Sequence, residues 1–196
     1  MTTHPDLPAA TRAEVHVLVN GYVGMRVAST VSLILDGDAR IVVDPGMVSR
    51  QAVILEPLAA LGVVPAEVSD VVLSHHHPDH TLNAGLFPNA RVHDYWAVYQ
   101  GDRWEDRLAE GVQVSPSVRL IQTPGHSPED ITTLVGTPQG VTACTHLWWN
   151  AEGPPEDPRA TDLDALHAGR RRVLAVASLI VPGHGAPFTP TPTTPR

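Results

Sequence analysis

At 196 residues, with 42% apolar residues and a net charge of −8, the chain has the length and composition of one globular domain. All 13 basic residues are arginine, which excludes lysine-nucleophile and Schiff-base chemistry, and the acidic balance argues against a nucleic-acid surface, which would carry a basic stripe. Cys144 is the single cysteine, so no disulfide can close within the chain; there is no leader-like start and no apolar run near the ~20 residues of a membrane span, and a cytoplasmic protein is expected.

Residues 1–13 read as a flexible N-terminal arm. Glu14 to Val19 alternates apolar and polar residues, the period of a strand, and the turn-forming pair Asn20-Gly21 follows it. Ser29 to Leu35 is a second strand rich in β-formers. Ile41 to Val43 is a third, ending in Asp44-Pro45-Gly46. Arg50 to Leu61 carries Val53, Ile54, Leu58 and Leu61 on one helical face. Val71 to Leu73 is a buried strand leading into Ser74-His75-His76-His77-Pro78-Asp79-His80, the most chemically informative segment of the chain.

In an extended segment the two-residue period aims His75 and His77 the same way and His76 elsewhere. Pro78 suits the first turn of a short helix over Asp79 to Leu86, so Asp79 and His80 present a second set of donors nearby. Imidazoles with one carboxylate suit zinc, with iron or manganese as alternatives. A histidine tag would sit at a terminus and carry no Asp at a fixed offset; this tract is internal and follows a strand.

A short strand is expected at Ala90 to Val92, and further strands near 111–114, 118–122, 130–135 and 141–145. Thr123-Pro124-Gly125-His126-Ser127 follows one of them, and its Pro-Gly turn places His126 at a strand mouth. Thr161 to Ala177 is the clearest helix. Leu179 to Val181 is the last strand and leads into Pro182-Gly183-His184-Gly185, the same device again. Residues 14–186 therefore form one domain, and the Pro/Thr-rich residues 187–196 read as a disordered tail.

Four motifs in this order, Val43-Asp44-Pro45-Gly46, His75-x-His77-x-Asp79-His80, Thr123-Pro124-Gly125-His126 and Val181-Pro182-Gly183-His184-Gly185, resemble those of the metallo-β-lactamase fold superfamily over residues 41–185. In length and loop pattern the chain is similar to the small single-domain branch that includes metallo-β-lactamase domain-containing protein 1. The resemblance implies an α+β fold, a four-layer αββα sandwich of two mixed sheets with helices outside. It implies a first metal held by His75, His77 and His126 and a second held by Asp79, His80 and His184, with Asp44 orienting the loop that carries them. The chain departs from the superfamily at one place. A Gly-Asp pair whose Asp bridges both metals is expected near Gly140 to Trp149, and Thr145-His146 stand there instead. Two readings follow: His146 is a terminal ligand of the second metal, or it only lines the pocket and the second site is weak.

The resemblance further implies a zinc-dependent hydrolase in which one or two ions supply a metal-bound hydroxide, since zinc lowers the pKa of bound water to about 7. Asp79 is then the catalytic residue that orients the water and carries a proton. Expected substrates are small esters, lactones, thioesters or amides. The alternatives are a mononuclear iron enzyme of the sulfur-dioxygenase type and a phosphodiesterase or nuclease of the same fold. Tyr22, Tyr95-Trp96 and Trp148-Trp149 are candidate pocket aromatics, of which only one of the last pair can face a given side of a strand. The expected partner is a small molecule rather than a nucleic acid or membrane, with a homodimer left open.

Overall fold

Two sheets, each with one apolar face toward the other, take up most of the chain. The computed structural model describes His4 and residues 6–196; residues 1–3 and Pro5, within the expected N-terminal arm, lie outside the described residues. The first sheet contains β1 (Glu14–Val19), β2 (Val31–Asp36), β3 (Ala39–Val43), β4 (Asp70–Val72), β5 (Arg91–His93), β6 (Ala97–Gln100) and β7 (Arg103–Asp106), neighbours in that same order. Its centre, β3-β4-β5, is parallel and its flanks are antiparallel. The second contains β8 (Gln113–Ser115), β9 (Val118–Gln122), β10 (Ile131–Thr137), β11 (Gly140–Thr145) and β12 (Ala177–Pro182), in the order β12-β11-β10-β9-β8 with β11 and β12 parallel. Strands covered on both faces lose alternation: β4 and β10 are buried at every position.

Ile34, Ile41, Val43 and Val72 of the first sheet meet Val118, Leu120, Ile131, Val135 and Cys144 of the second. Helix α1 (Ala52–Ala60) lays Ile54 and Leu58 on the outer face of the first sheet, against Leu33, Val42 and Val71. After the short helix α2 (Pro78–Thr81) at the metal motif, α3 (Leu163–Leu174) covers the other outer face with Leu166 and Val173 against Ile121, Leu134, Ala143 and Ile180. Asp162 caps α3 by accepting from the Ala165 amide. The layers are helix, sheet, sheet, helix, as the sequence predicts. Cys144 is a small core residue, and burial pushes its thiol up to about 12.

Several local expectations need correction. Asn20-Gly21 does not close a two-residue hairpin. β1 and β2 pair from Val19↔Val31, and residues 20–30 make an excursion pinched by a Tyr22↔Ala28 bridge, because the Thr30 hydroxyl takes the Gly21 amide. The helix expected from Asp79 to Leu86 is broken into α2 and a 3-10 turn at Ala84–Leu86, and that expected over Thr161 to Ala177 is shorter at both ends. The strand expected at 111–114 lies at Gln113–Ser115. The β6-β7 hairpin has no counterpart among the strands expected from the sequence; stacking of Tyr99 on Trp104 across it, 5.2 Å between ring centroids, compensates for its exposed, charged sequence.

The described residues of both terminal segments are fastened to the domain. Arg172 of α3 grips Asp6 at 2.7 Å and Glu110 at 2.6 Å, so the arm is fixed from Asp6 onward. The expected disordered tail instead lies on the domain. Phe188 exchanges backbone hydrogen bonds with Ile180, and the buried Trp148 indole donates to the Pro195 carbonyl at 2.9 Å. The apolar faces of Phe188 and Trp148 outweigh the low packing tendency of the Pro/Thr sequence around them. Among the described residues no helix is long and apolar enough to cross a membrane.

Candidate metal centre

Every site residue singled out in the sequence follows the C-terminal end of a strand: Asp44 after β3, the 75–80 cluster after β4, His126 after β9, His146 after β11 and His184 after β12. Two glycines make the convergence sterically feasible. A Cβ on Gly46 would lie 1.6 Å from the Asp79 carbonyl oxygen, and one on Gly183 would lie 2.4 Å from the His146 ring. The Met47 and Ser29 amides donate to that Asp79 carbonyl, tying the excursion before β2 and the loop after β3 to α2.

The outer nitrogens of four of the histidines are engaged. His80 Nδ1 donates to Asp44 Oδ2 at 2.9 Å, His126 Nδ1 donates to Asp157 Oδ2 at 2.7 Å, and His184 Nδ1 donates to the Ala28 carbonyl at 2.9 Å. His75 Nδ1 lies 3.0 Å from the Ser74 hydroxyl, with Asp130 Oδ1 at 3.9 Å. In each ring this leaves Nε2 facing the interior of the site, the arrangement by which outer partners orient metal ligands. Asp44 is held at a left-handed φ of 52°, and its other oxygen accepts the Ser74 amide at 2.7 Å, which fixes the start of the ligand loop. Asp130 is fastened to the Ser127 amide and hydroxyl, and burial raises its carboxyl to about 6.

The inner nitrogens crowd together. His77 Nδ1 lies 2.9 Å from His75 Nε2 and 3.1 Å from His126 Nε2. Two nitrogens each ~2.0–2.1 Å from one zinc ion would stand roughly 3 Å apart, so this triad has the spacing of a shared ion. Asp79 Oδ2 lies 3.6 Å from Nε2 of both His80 and His184, forming a second group. Burial first, then the positive ends of neighbouring imidazoles, hold His75 and His146 well below the usual histidine range; burial also lowers His77 and His184. These four rings are therefore held toward the neutral state, which is the ligand form. His80 Nε2 and His146 Nδ1 are buried with no hydrogen-bond partner among the described residues. Orphaned imidazole nitrogens inside a cluster of imidazole and carboxylate donors fit a cation.

His146 lies between the two groups. Its ring centroid is 4.1 Å from His126, 4.5 Å from His75 and 4.8 Å from His80, and its Nε2 is 3.1 Å from His184 Nε2. The structure thus brings His75, His77, Asp79, His80, His126, His146 and His184 into one site. His76 points out, to Asp94 at 3.1 Å.

The site opens into a cleft of about 330 Å³, walled by Val23, Gly24, Val27, Trp149 and Arg159 beside Asp79. Of the predicted pocket aromatics only Trp149 lines it; Trp148 is core, and Tyr22, Tyr95 and Trp96 lie elsewhere. Sequence reasoning missed Asp157, which is buried and accepts His126 Nδ1, Trp149 Nε1 at 3.0 Å and the Arg159 amide at 2.8 Å. Burial opposes its ionisation, but these hydrogen bonds and the His126 ring hold its carboxyl below the usual range. The segment Gly153-Pro154-Pro155-Glu156-Asp157-Pro158 has the composition of a solvated loop, and no motif marked it.

The model of the metallo-β-lactamase superfamily matches residues 24–186. Metallo-β-lactamase domain-containing protein 1 of Xenopus laevis is 33% identical over 189 residues, 89% of this chain and 80% of the frog protein. The human protein of that name is 36% identical over 158 residues, 76% of this chain but only 59% of its own length. Among solved structures, a Thermotoga maritima protein of metallo-β-lactamase type superposes with a TM-score of 0.72 at 24% identity, covering 91% of this chain and all of the other. A quorum-quenching N-acyl homoserine lactone lactonase gives 0.62 at 22% over 91% and 90% of the two chains. A protein solved in a di-iron-bound form gives 0.64 at 20% over 86% and 92%. With motifs, layers and donor cluster agreeing, the chain belongs to the metallo-β-lactamase superfamily.

Proposed function

We propose that the protein is a zinc-dependent hydrolase of small esters, lactones, thioesters or amides. The observation that carries this reading is the convergence of inward-facing imidazole nitrogens with Asp79 at the floor of an open cleft. His75, His77 and His126 would hold one ion, and Asp79, His80 and His184 a second, with His146 a terminal ligand of the second. The nitrogen-rich donor set favours zinc or iron over the hard cations, and the di-iron neighbour keeps iron as the second candidate metal. Bound there, such a dication polarises a carbonyl oxygen and acidifies a coordinated water.

The chain's own residues do the rest. Asp44, Asp157, Ser74 and the Ala28 carbonyl hold the rings in the tautomer whose inner nitrogen is free. Asp79, partly exposed at the cleft wall, would take a proton from the attacking water and deliver it to the leaving group. Val23, Val27 and Trp149 offer an apolar wall for the acyl part of a substrate and exclude water from it. A net charge of −8 supports a small molecule over a nucleic acid.

The test is hydrolysis of a panel of esters, lactones and thioesters by protein stripped with a chelator and reloaded with zinc, iron or manganese. Activity should require the metal, and Asp79→Asn should lower kcat by about 10²–10⁴-fold with the protein still folded. Turnover that survives metal removal, or an undiminished Asp79→Asn, would refute the reading.

A further inference from the structure

We propose that the cleft selects substrates bearing a carboxylate beside the scissile bond, and that the Arg159 guanidinium binds that carboxylate. This rests on the hydrolase reading above. Among the described residues Arg159 is the only arginine on the cleft wall; the other ionisable side chains there are the four site histidines and Asp79. Among the described residues no carboxylate lies within ion-pair distance of its guanidinium, unlike Arg172, Arg91 and Arg12, which are all paired. The guanidinium is exposed and unengaged, while the root of the side chain is fixed. The Arg159 amide donates to Asp157 Oδ1 at 2.8 Å, and the other oxygen of that carboxylate accepts from His126 and Trp149. The same buried carboxylate therefore sets the position of Arg159 and of a proposed ligand.

Charge balance points the same way. Where an Asp would bridge the metals in relatives of the usual pattern, this chain has His146, so Asp79 is the only anion among the proposed donors. Asp44 and Asp157 behind His80 and His126 bring the nearby carboxylates to three with Asp79, so a pair of dications would leave a positive remainder, and Arg159 adds to it at the cleft wall. An anionic group is thus favoured at this place in a chain that is acidic as a whole. A guanidinium presents a planar fork that matches one carboxylate with two parallel hydrogen bonds. A phosphate dianion would find no second cationic side chain on the wall. Val23 and Val27 leave room for an apolar linker between the carboxylate and the scissile carbonyl.

The test compares mono-4-nitrophenyl glutarate with its neutral methyl ester, using zinc-loaded wild type, Arg159→Gln and Arg159→Lys. The ratio of kcat/KM for the acid over the neutral ester should fall about tenfold to a hundredfold in Arg159→Gln, the range for losing a charge-assisted pair, and partly recover in Arg159→Lys. Titration calorimetry reads the same contrast without turnover: glutarate should bind the wild type more tightly than butyrate, and that preference should vanish in Arg159→Gln. A ratio unchanged within twofold, with the neutral ester hydrolysed, overturns the Arg159 assignment and leaves the hydrolase reading standing. If neither ester is turned over, calorimetry still decides: a glutarate preference lost in the variant supports the assignment, and no preference in the wild type overturns it.

Discussion

Replacing Asp157 by Asn tests how a side chain outside the donor set governs the centre. Asp157 Oδ2 accepts from His126 Nδ1 and Trp149 Nε1, and Oδ1 accepts from the Arg159 amide. An amide group in that position must turn its NH2 toward one of these donors, whichever way it is flipped. One buried donor then loses its acceptor, at a cost of about 1–3 kcal/mol to the stability of the metal-free protein. His126 also loses the carboxylate that holds its proton on Nδ1 and raises the basicity of Nε2. Changes of this kind weaken metal binding about 10–100-fold, equivalent to roughly 1.4–2.8 kcal/mol. Competition of zinc between the protein and a chromophoric chelator would measure the affinity, and urea unfolding of the apo form the stability. Zinc affinity within twofold of wild type in a folded Asp157→Asn would show that the hydrogen bond at 2.7 Å does not orient a ligand.

Gly46→Ala should be among the most damaging single-methyl additions, because its Cβ would overlap the Asp79 carbonyl and push away the turn carrying Asp79 and His80. A cost of about 1–3 kcal/mol or more is expected, with loss of bound zinc; wild-type melting temperature and metal content would contradict the packing described here. Asp36 carries the pH prediction. Burial opposes its ionisation, but hydrogen bonds from Ser115, Ser117 and Arg12 lower its carboxyl below the unfolded value. That stabilisation is complete above the unfolded pKa of about 3.9 and disappears as pH falls through the lower folded value. Denaturant midpoints followed into acid should therefore fall less steeply for Asp36→Asn than for wild type, and equal slopes would sink the assignment.

What sequence pattern could and could not convey follows from where the information sits. His75, His77, Asp79 and His80 are close in the chain and follow a wholly buried strand, so spacing alone groups them. His126 and His184 share a Pro-Gly device that repeats visibly. Asp157 has no such local mark; only the fold brings it to His126, 31 residues away. The β6-β7 hairpin leaves no mark in the sequence because Arg103-Trp104-Glu105-Asp106 is exposed at all four positions and has no apolar alternation. Its stability comes from cross-strand stacking, which pairs residues by register rather than by pattern. The Asn20-Gly21 turn was overridden by a long-range contact, Thr30 binding both Gly21 and Gly185, and the resulting excursion supplies Val23 and Val27 to the cleft.

The central claim is that the two donor groups hold ions and that His146 belongs among the ligands. Zinc per chain, measured by plasma mass spectrometry on reconstituted and dialysed protein, addresses it directly, with His146→Ala measured alongside. The account predicts about two ions per chain in the wild type and about one in the variant, as expected when a centre loses an imidazole ligand. No retained zinc in the wild type would contradict the metal centre, and an undiminished content in His146→Ala would remove His146 from its ligands.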